Sequence, residues 1–206
     1  MEGIPGLIVF PCNGTGREAL DAIDRPVVFV DDEKAGSVIF GVPVEGRTAF
    51  ARLSSWRVLA VYGGPRTFRR RKATILGLGL DAERWATVVH PSAVVSKNAR
   101  LGCNVYIGPH ATIHAGATIA DHVVVMAGAV VHHEATVERF AVVCAGTILA
   151  GETTVGEEAF VGAGACIRQG LVVGESALVG MGAVVVADVP PRSLVAGNPA
   201  KILRQD

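Results

Sequence analysis

An aliphatic residue recurs at every sixth position through the second half of the chain, and few folds can accommodate that period. The series has no gap and comprises Val95, Leu101, Ile107, Ile113, Ile119, Val125, Val131, Val137, Val143, Leu149, Val155, Val161, Ile167, Val173, Val179 and Val185. Four residues after each of these stands a mostly small side chain, as at Ala111, Ala129 and Ala165. Neither a helix nor a simple alternating strand has this period, whereas a short strand and a corner repeated three times per coil do. We therefore predict parallel coils stacked into a triangular prism, with two inward-facing positions in each repeat unit.

Glycine often follows the aliphatic residue, and we interpret these glycines as tight corners where a Cβ is costly. They are Gly102, Gly108, Gly156, Gly162, Gly174 and Gly180. Because no insertion interrupts the repeat, we expect the prism to be smooth along its length.

Residues 1–88 have a different pattern, in which short apolar segments typical of strands alternate with segments typical of helices. The expected elements are strands at 7–10, 26–30 and 57–61, helices at 17–23 and 65–76, and a glycine-containing turn at 11–16. This order indicates a small α/β Rossmann-like unit that can hold a nucleotide at a helix N-terminus. The sequence thus predicts two domains, an α/β nucleotide-binding domain at 1–88 and a β-helix domain at 89–206.

The composition excludes several classes of partner. Lys plus Arg and Asp plus Glu each number 19, so no large basic field exists to hold nucleic acid or a membrane surface. The longest apolar stretch contains Gly128 and is shorter than the roughly 20 residues that a membrane helix needs.

The first residues lack the basic region of a secretory signal, so we expect a cytoplasmic protein. The cysteines show no CxxC pairing, and we expect them to be reduced: Cys12, Cys103, Cys144 and Cys166.

The hexapeptide repeat resembles that of the left-handed β-helix acyltransferases. Combined with the first half, it makes the chain similar to the hexapeptide-repeat sugar acetyltransferases, which include sialic acid O-acetyltransferases and N-acetyltransferases of UDP-4-amino-sugar type (bacillosamine, perosamine). That family begins with a strand, a GxGGHG-like loop and a second strand ending in Asp-Asp. Here the loop reads PCNGTG and the second strand ends in Asp31 and Asp32. The resemblance implies a left-handed β-helix and an N-terminal domain that binds a nucleotide-linked sugar.

By this resemblance, the substrate-binding residues are Asn13, Gly14, Thr15, Asp31, Asp32, Gly63 and Met126. The first glycine and the usual histidine of the loop are missing, which leaves the nucleotide (UDP, GDP or dTDP) open. Asp31 and Asp32 also fit a plain exit from a strand into a turn. Met126 stands where the family has a polar residue.

A basic run on the second expected helix allows two interpretations. It comprises Arg66, Arg69, Arg70, Arg71 and Lys72. The run can attract a diphosphate, or it can form a solvated helix face.

The histidines offer a catalytic base, because acetyl transfer to an amine requires removal of its proton near neutral pH. His132, His133 and Glu134 follow the inward Val131 and should lie on the outside of the prism. The family motif is an aliphatic pair, one variable residue and then His-Glu. The resemblance therefore implies that His133 is the general base and that Glu134 orients it, while His132 fits a surface position.

The donor implied by the family is acetyl-CoA. By family position the residues that line its site are Gly151, Ala163, Met181 and Lys201. A second family histidine, associated with the CoA side, falls at Val142. The chain ends in a proline exit followed by the family's GxPAK motif at 197–201, where Lys201 either meets the CoA phosphates or belongs to a frayed tail.

A metalloenzyme is the less favoured class. His114 and His132 are one coil apart and should stack, and stacked histidines can bind a metal. The γ-type carbonic anhydrase relatives hold zinc with an HxxxxH pair, whereas His110 and His114 are spaced as HxxxH. We expect no metal.

The sequence thus predicts a homotrimeric N-acetyltransferase that acetylates a nucleotide-linked amino sugar of the 4-amino-4,6-dideoxy type for bacterial surface glycans such as O-antigen. The trimer is expected because a regular prism presents flat apolar faces. Two alternatives remain, a sialic acid-type sugar O-acetyltransferase and a non-catalytic β-helix scaffold.

Overall fold

The computed structural model describes residues 5–205 and contains an α/β unit followed by a long parallel prism. The α/β unit has a sheet of order β3-β4-β2-β1-β5, formed by Leu7–Phe10 (β1), Val27–Val30 (β2), Val38–Ile39 (β3), Val42–Glu45 (β4) and Arg57–Ala60 (β5). Its helices are Gly14–Glu18 (α1), Ala49–Arg52 (α2) and Arg71–Leu76 (α3), with 3₁₀ turns at Ala19–Ala22, Phe68–Arg70 and Ala82–Arg84. Strand β1 pairs in parallel with both β2 and β5, so the carboxyl ends of these three strands lie at one edge.

The three expected strands of the α/β unit are present, but the first helix begins earlier than its apolar pattern indicated. Asn13 caps α1, since its Oδ1 accepts a hydrogen bond from the Gly16 N–H at 2.7 Å. Gly16 has to be glycine, because a Cβ there would stand 2.5 Å from the carbonyl oxygen of Pro11. The hairpin β3–β4 was not predicted from the sequence.

The prism is built from two-residue strands. These are Val88–Val89 (β6), Val94–Val95 (β7), Arg100–Leu101 (β8), Tyr106–Ile107 (β9), Thr112–Ile113 (β10), Thr118–Ile119 (β11), Val124–Val125 (β12), Val130–Val131 (β13), Thr136–Val137 (β14), Val142–Val143 (β15), Ile148–Leu149 (β16), Thr154–Val155 (β17), Phe160–Val161 (β18), Cys166–Ile167 (β19), Val172–Val173 (β20), Leu178–Val179 (β21) and Val184–Val185 (β22). Strands one coil apart pair in parallel along each face, as Thr112 does with Val130. The expectation of a smooth prism is confirmed.

Three faces result from this pairing. The docked face contains β6, β9, β12, β15, β18 and β21; the open face contains β7, β10, β13, β16, β19 and β22; and the third face contains β8, β11, β14, β17 and β20. The aliphatic and small positions of the repeat fill one continuous core, as expected: Ile113, Ala129, Val131 and Ala165 are each at most 1 % exposed.

The interpretation that a Cβ is costly at the corner glycines is confirmed, but the residues with left-handed backbone lie at other positions of the corners. From Asn104 to Gly182, φ is positive at every sixth residue, between 51° and 74°. These left-handed positions lie two residues after the glycines singled out above, and many hold larger residues such as His122, Glu134 and Phe140. A Cβ is costly at these glycines because the next coil lies close to them: a Cβ on Gly108 would stand 2.8 Å from the Ala127 nitrogen. They permit close stacking of successive coils.

The α/β unit covers the docked face. Outward side chains of that face, including Tyr106, Val124, Val142 and Phe160, are buried together with Leu7, Val9 and Leu59 of the α/β unit. The proposed division between 1–88 and 89–206 falls within β6, at the junction of the two units, and the division into two domains stays a prediction.

The basic run ties the two units together. Nε of Arg69 donates to the Ser176 carbonyl at 3.2 Å, a terminal nitrogen of Arg71 donates to the His122 carbonyl at 2.6 Å, and Lys72 forms an ion pair with Glu157 at 2.7 Å. Arg71 is fully buried. The interpretation of this run as a solvated helix face is therefore wrong for Arg71, because the helix turns that side chain toward the prism.

The chain leaves the prism through an antiparallel hairpin of Ser193–Gly197 (β23) and Ala200–Gln205 (β24), which extends the docked-face sheet. The interpretation of a frayed tail is wrong, since β24 pairs with β23 throughout.

The four cysteines are free. Among residues 5–205, no helix has the length and apolarity needed to cross a membrane. Residues 1–4, part of the segment considered for a secretory signal, lie outside the described residues.

Candidate active site

His133 and Glu134 form a hydrogen-bonded pair on the corner of the prism that lies opposite the docked face. Residues 132–134 connect β13 of the open face to β14 of the third face. Nδ1 of His133 contacts a carboxylate oxygen of Glu134. An ionised carboxylate only accepts hydrogen bonds, so Nδ1 carries the proton, and in the neutral imidazole Nε2 keeps its lone pair. The His133 side chain is 50 % exposed, which makes Nε2 available to a substrate.

Neighbouring coils hold this pair in place from both sides. A Cβ on Gly151, one coil further on, would stand 2.6 Å from Nε2 of His133. A Cβ on Gly116, one coil earlier, would stand 3.1 Å from a carboxylate oxygen of Glu134. Glycine at both positions therefore makes room for the two side chains.

A histidine stack lies beside the pair. The rings of His114 and His132 are parallel, with centroids 4.8 Å apart, which confirms the stacking expected from their spacing. Burial, together with His114 and His133, lowers the pKa of His132 and favours its neutral form. Within the described part of the chain, no group of three or more His, Cys, Asp or Glu side chains is arranged to hold a metal ion.

A cleft of about 300 Å³ opens at the carboxyl ends of β1, β2 and β5. It is lined by Phe10, Pro11, Asn13, Asp31, Asp32, Glu33, Lys34, Arg47 and Tyr62. The structure thus brings together Asn13, Asp31 and Asp32 of the predicted substrate-binding set. The cleft presents both carboxylates and cations together with two aromatic rings.

The cleft residues are connected to one another. Nδ2 of Asn13 donates to the Val61 carbonyl at 2.9 Å, which ties the first loop to the loop after β5. Lys34 donates to the Cys12 carbonyl at 2.7 Å and to Asp31 at 2.8 Å. On the far side, Asp32 pairs with Arg47 at 2.9 Å.

The other predicted substrate residues are more dispersed. Gly14 lines a neighbouring cavity of about 650 Å³, together with Arg17 and the hairpin residue Phe40. Thr15 is half-buried in α1. Gly63 follows the cleft residue Tyr62 and has φ +122°, a conformation that favours glycine.

The predicted CoA residues lie at two corners. Gly151 is at the His133 corner, whereas Ala163 and Met181 lie on the corner between the docked and open faces, where Met181 is 79 % exposed. Met126 shares that second corner and packs, with Ala163, against the apolar cluster that the docked face and the α/β unit form together. Lys201 is exposed on β24. Within one chain, the His133 corner and the cleft lie on opposite sides of the prism.

Sequence reasoning missed Lys34, Arg47 and Tyr62, and it did not distinguish Arg71 from the other members of its basic run. Arg71 carried a usable signal, because it is spaced between Phe68 and Ile75 so that all three share one face, and all three are buried. Arg47 carried no such signal in the sequence, since its place beside Asp32 depends on the hairpin β3–β4, which was not predicted.

Comparison with known proteins identifies relatives of this arrangement. Residues 152–187 match the family model described as the hexapeptide repeat of succinyl-transferase. No curated protein sequence matches the chain. Among solved structures, the chain is similar to the acetyltransferase domain of PglB from Neisseria gonorrhoeae FA1090 in complex with acetyl coenzyme A, with 32 % identity, 98 % of this chain and 100 % of that chain covered, and a TM-score of 0.86.

It is also similar to PerB from Caulobacter crescentus in complex with CoA and GDP-perosamine, with 30 % identity, 98 % and 99 % coverage and a TM-score of 0.86. WeeI from Acinetobacter baumannii AYE has the same fold at 21 % identity, with 96 % and 99 % coverage and a TM-score of 0.81. The parallel coils together with these matches assign the prism to the left-handed β-helix acetyltransferase fold.

Proposed function

The chain belongs to the hexapeptide-repeat family of acetyl-CoA-dependent sugar N-acetyltransferases, and we propose that it acetylates the amino group of a nucleotide-linked 4-amino-4,6-dideoxy sugar. Acetyl-CoA is the acyl donor. The observation that carries the choice of catalytic residue is the hydrogen bond from His133 to Glu134 on a half-exposed corner.

His133 acts as the general base in this proposal. The amine of the sugar attacks the thioester carbonyl, and Nε2 of His133 takes the proton that the amine loses. Main-chain N–H groups stabilise the oxyanion of the tetrahedral intermediate. When the C–S bond breaks, the CoA thiolate leaves and receives a proton, and the amide remains on the sugar. Glu134 keeps Nδ1 protonated throughout, so that Nε2 is the atom that accepts.

The cleft at the strand ends is the proposed site for the nucleotide part of the acceptor. Its support is the convergence in one cleft of Asn13, Asp31 and Asp32, which the family resemblance assigned to the substrate. Further support is that PerB, to which the chain is similar, was solved in complex with CoA and GDP-perosamine, a nucleotide-linked amino sugar.

A homotrimer completes the site in this proposal. The open face exposes apolar side chains, with Val94 63 % and Ile148 41 % exposed, as a face covered by another subunit would. Threefold packing of the prisms brings His133 of one protomer toward the α/β unit of the next. CoA then lies between two prisms, with Gly151 of one and Ala163 and Met181 of the other along its length, and Lys201 near its phosphates.

We propose that the reaction serves bacterial surface glycan synthesis, such as that of O-antigen, in the cytoplasm, where nucleotide sugars and acetyl-CoA are available. The two alternatives predict other outcomes. A sialic acid-type O-acetyltransferase would acetylate a free sugar acid, and a scaffold would acetylate nothing.

The test is thiol release from acetyl-CoA with UDP-, GDP- and dTDP-linked 4-amino sugars and with free sialic acid. Release with one nucleotide amino sugar, and an N-acetyl product by mass, is the expected result. Thiol release with sialic acid alone would favour the O-acetyltransferase. If none of these acceptors supports thiol release, the scaffold is favoured.

A further inference from the structure

Arg71 is a buried cation that bridges the α/β unit and the prism. Its side chain is fully buried, and its guanidinium donates to the carbonyl oxygens of Tyr62, Ala60 and His122. Burial lowers the pKa of Arg71 to about 9, so the group stays charged at neutral pH. A buried charge costs stability unless its hydrogen bonds are made. Here three main-chain carbonyls accept from the terminal nitrogens of Arg71, while its Nε has no hydrogen-bond partner among the described residues.

Two of these carbonyls belong to the end of β5 and the loop that follows it. Ala60 ends the strand, and Tyr62 lines the proposed acceptor cleft. The next residue, Gly63, lies against the stem of Arg71, since a Cβ there would stand 3.5 Å from Cδ of the arginine. Arg71 therefore supports one wall of the cleft from below.

The third carbonyl anchors this wall to the prism. His122 is buried at a corner of the docked face, where its Nδ1 lies 2.9 Å from Nδ2 of Asn104. Asn104 also pairs with both main-chain groups of Ala60, at 2.7 Å and 3.2 Å. The end of β5 is thus held by the Asn104 amide, which belongs to the prism, and by the Arg71 guanidinium, which is hydrogen-bonded to the prism through the His122 carbonyl.

The loop also connects to the other side of the cleft. Asn13 donates to the Val61 carbonyl, and the Tyr62 ring stacks on Phe10 with centroids 6.4 Å apart. A displacement of residues 61–63 would therefore disturb the floor and one wall of the cleft together.

We propose that Arg71 is a positioning residue for the acceptor, fixing the Tyr62–Gly63 wall of the cleft against the prism. This role rests on the proposed function, because it assumes that the nucleotide sugar occupies the cleft. Arg71 does not touch the acceptor, and it acts through the main chain of Ala60 and Tyr62.

The test compares Arg71→Met with Arg84→Met in the full-length protein. Arg84 is a matched control, because it also donates to several carbonyls of the α/β unit, those of Trp56, Leu53 and Phe50, but at the opposite end of β5 from the cleft. Both variants lose hydrogen bonds to main-chain carbonyls and should lower the melting temperature. Only Arg71→Met should raise KM for the nucleotide amino sugar, by about tenfold or more, with KM for acetyl-CoA within about twofold of wild type.

Hydrogen exchange of the backbone amides at 60–64 provides a readout that needs no acceptor. Arg71→Met should speed exchange there, whereas Arg84→Met should not, and Arg71→Lys, which keeps one charged donor, should fall between Arg71→Met and wild type in both measurements. Equal KM changes in Arg71→Met and Arg84→Met, or unchanged exchange at 60–64 in Arg71→Met, would overturn the proposal. If wild type acetylates no nucleotide sugar, the proposed function fails, and the exchange comparison still decides whether Arg71 holds the wall.

Discussion

The imidazole of His133 lies against the main chain of Gly151 one coil further on, so closely that a Cβ on Gly151 would stand 2.6 Å from Nε2. Gly151 has an ordinary backbone conformation, so its small size, and not its flexibility, is what the neighbouring histidine requires.

Replacement of Gly151 by alanine should therefore displace the base. We expect Gly151→Ala to lower kcat by roughly 10- to 100-fold, because the ring must leave its position over the coil. In a His133→Ala background the same substitution should have little further effect, since the clash no longer exists. Steady-state kinetics of the two single variants and the double variant measure this. Additive losses in the double variant would show that Gly151 acts independently of His133.

Loss of the Glu134 charge should weaken catalysis without removing the base. Glu134→Gln keeps a similar shape but presents an amide that can no longer hold the Nδ1 proton as an anion does, so we expect kcat to fall roughly 10- to 100-fold. KM for both substrates should stay close to wild type, because neither substrate site is altered. The expectation fails if Glu134→Gln retains full turnover.

Protonation of buried His122 should destabilise the junction of the two units at acid pH. Burial, and then the charge of Arg71, lowers the pKa of His122 to about 4, against 6.5 when exposed. The unfolded chain therefore binds a proton at higher pH than the folded chain does. Stability should be full above pH 6.5 and decline as the pH falls toward 4, by roughly 3 kcal/mol.

Thermal unfolding of wild type and His122→Asn between pH 4 and 7.5 measures this effect. Asparagine suits the positive φ of this corner, as Asn104 does one coil earlier, and carries no titrating group. The variant should lose part of the acid-side decline, whereas the exposed His110→Asn at another such corner should keep it. An identical decline in His122→Asn and wild type would contradict the assignment.

Two inactive variants should restore activity to each other if the site lies between protomers. His133→Ala removes the base, and Gly63→Val disturbs the cleft wall, because valine is strained at φ +122°. In randomly mixed trimers, roughly a quarter of the interfaces pair an intact His133 with an intact cleft, so co-expression should recover about that share of activity. No recovery in mixed trimers of confirmed composition would place the base and the cleft in one chain.

The repeat predicted the prism from Val95 to Val185 because every inward position there has a small or aliphatic side chain. The corners could not be located in this way. Every sixth residue has a positive φ, but His122, Glu134 and Phe140 adopt this conformation although they are not glycine. His133 and Glu134 could be singled out because their outward register follows from the inward Val131.

The cleft was less predictable. Asp31 and Asp32 mark a strand end and could be found, but their partners Lys34 and Arg47 are set by local turns and by a short hairpin without a strong pattern. The burial of Arg71 could not be recognised within its basic run, since it depends on carbonyls contributed by β5, by the loop after β5 and by the prism.

The most direct measurement is the turnover of His133→Ala with acetyl-CoA and the nucleotide amino sugar that wild type accepts. General-base catalysis by His133 predicts that kcat falls by ~10²–10⁴, with both KM values little changed, in a variant that keeps the fold of wild type. Full turnover by His133→Ala would contradict the account, because the transfer would then need no base on this corner of the prism.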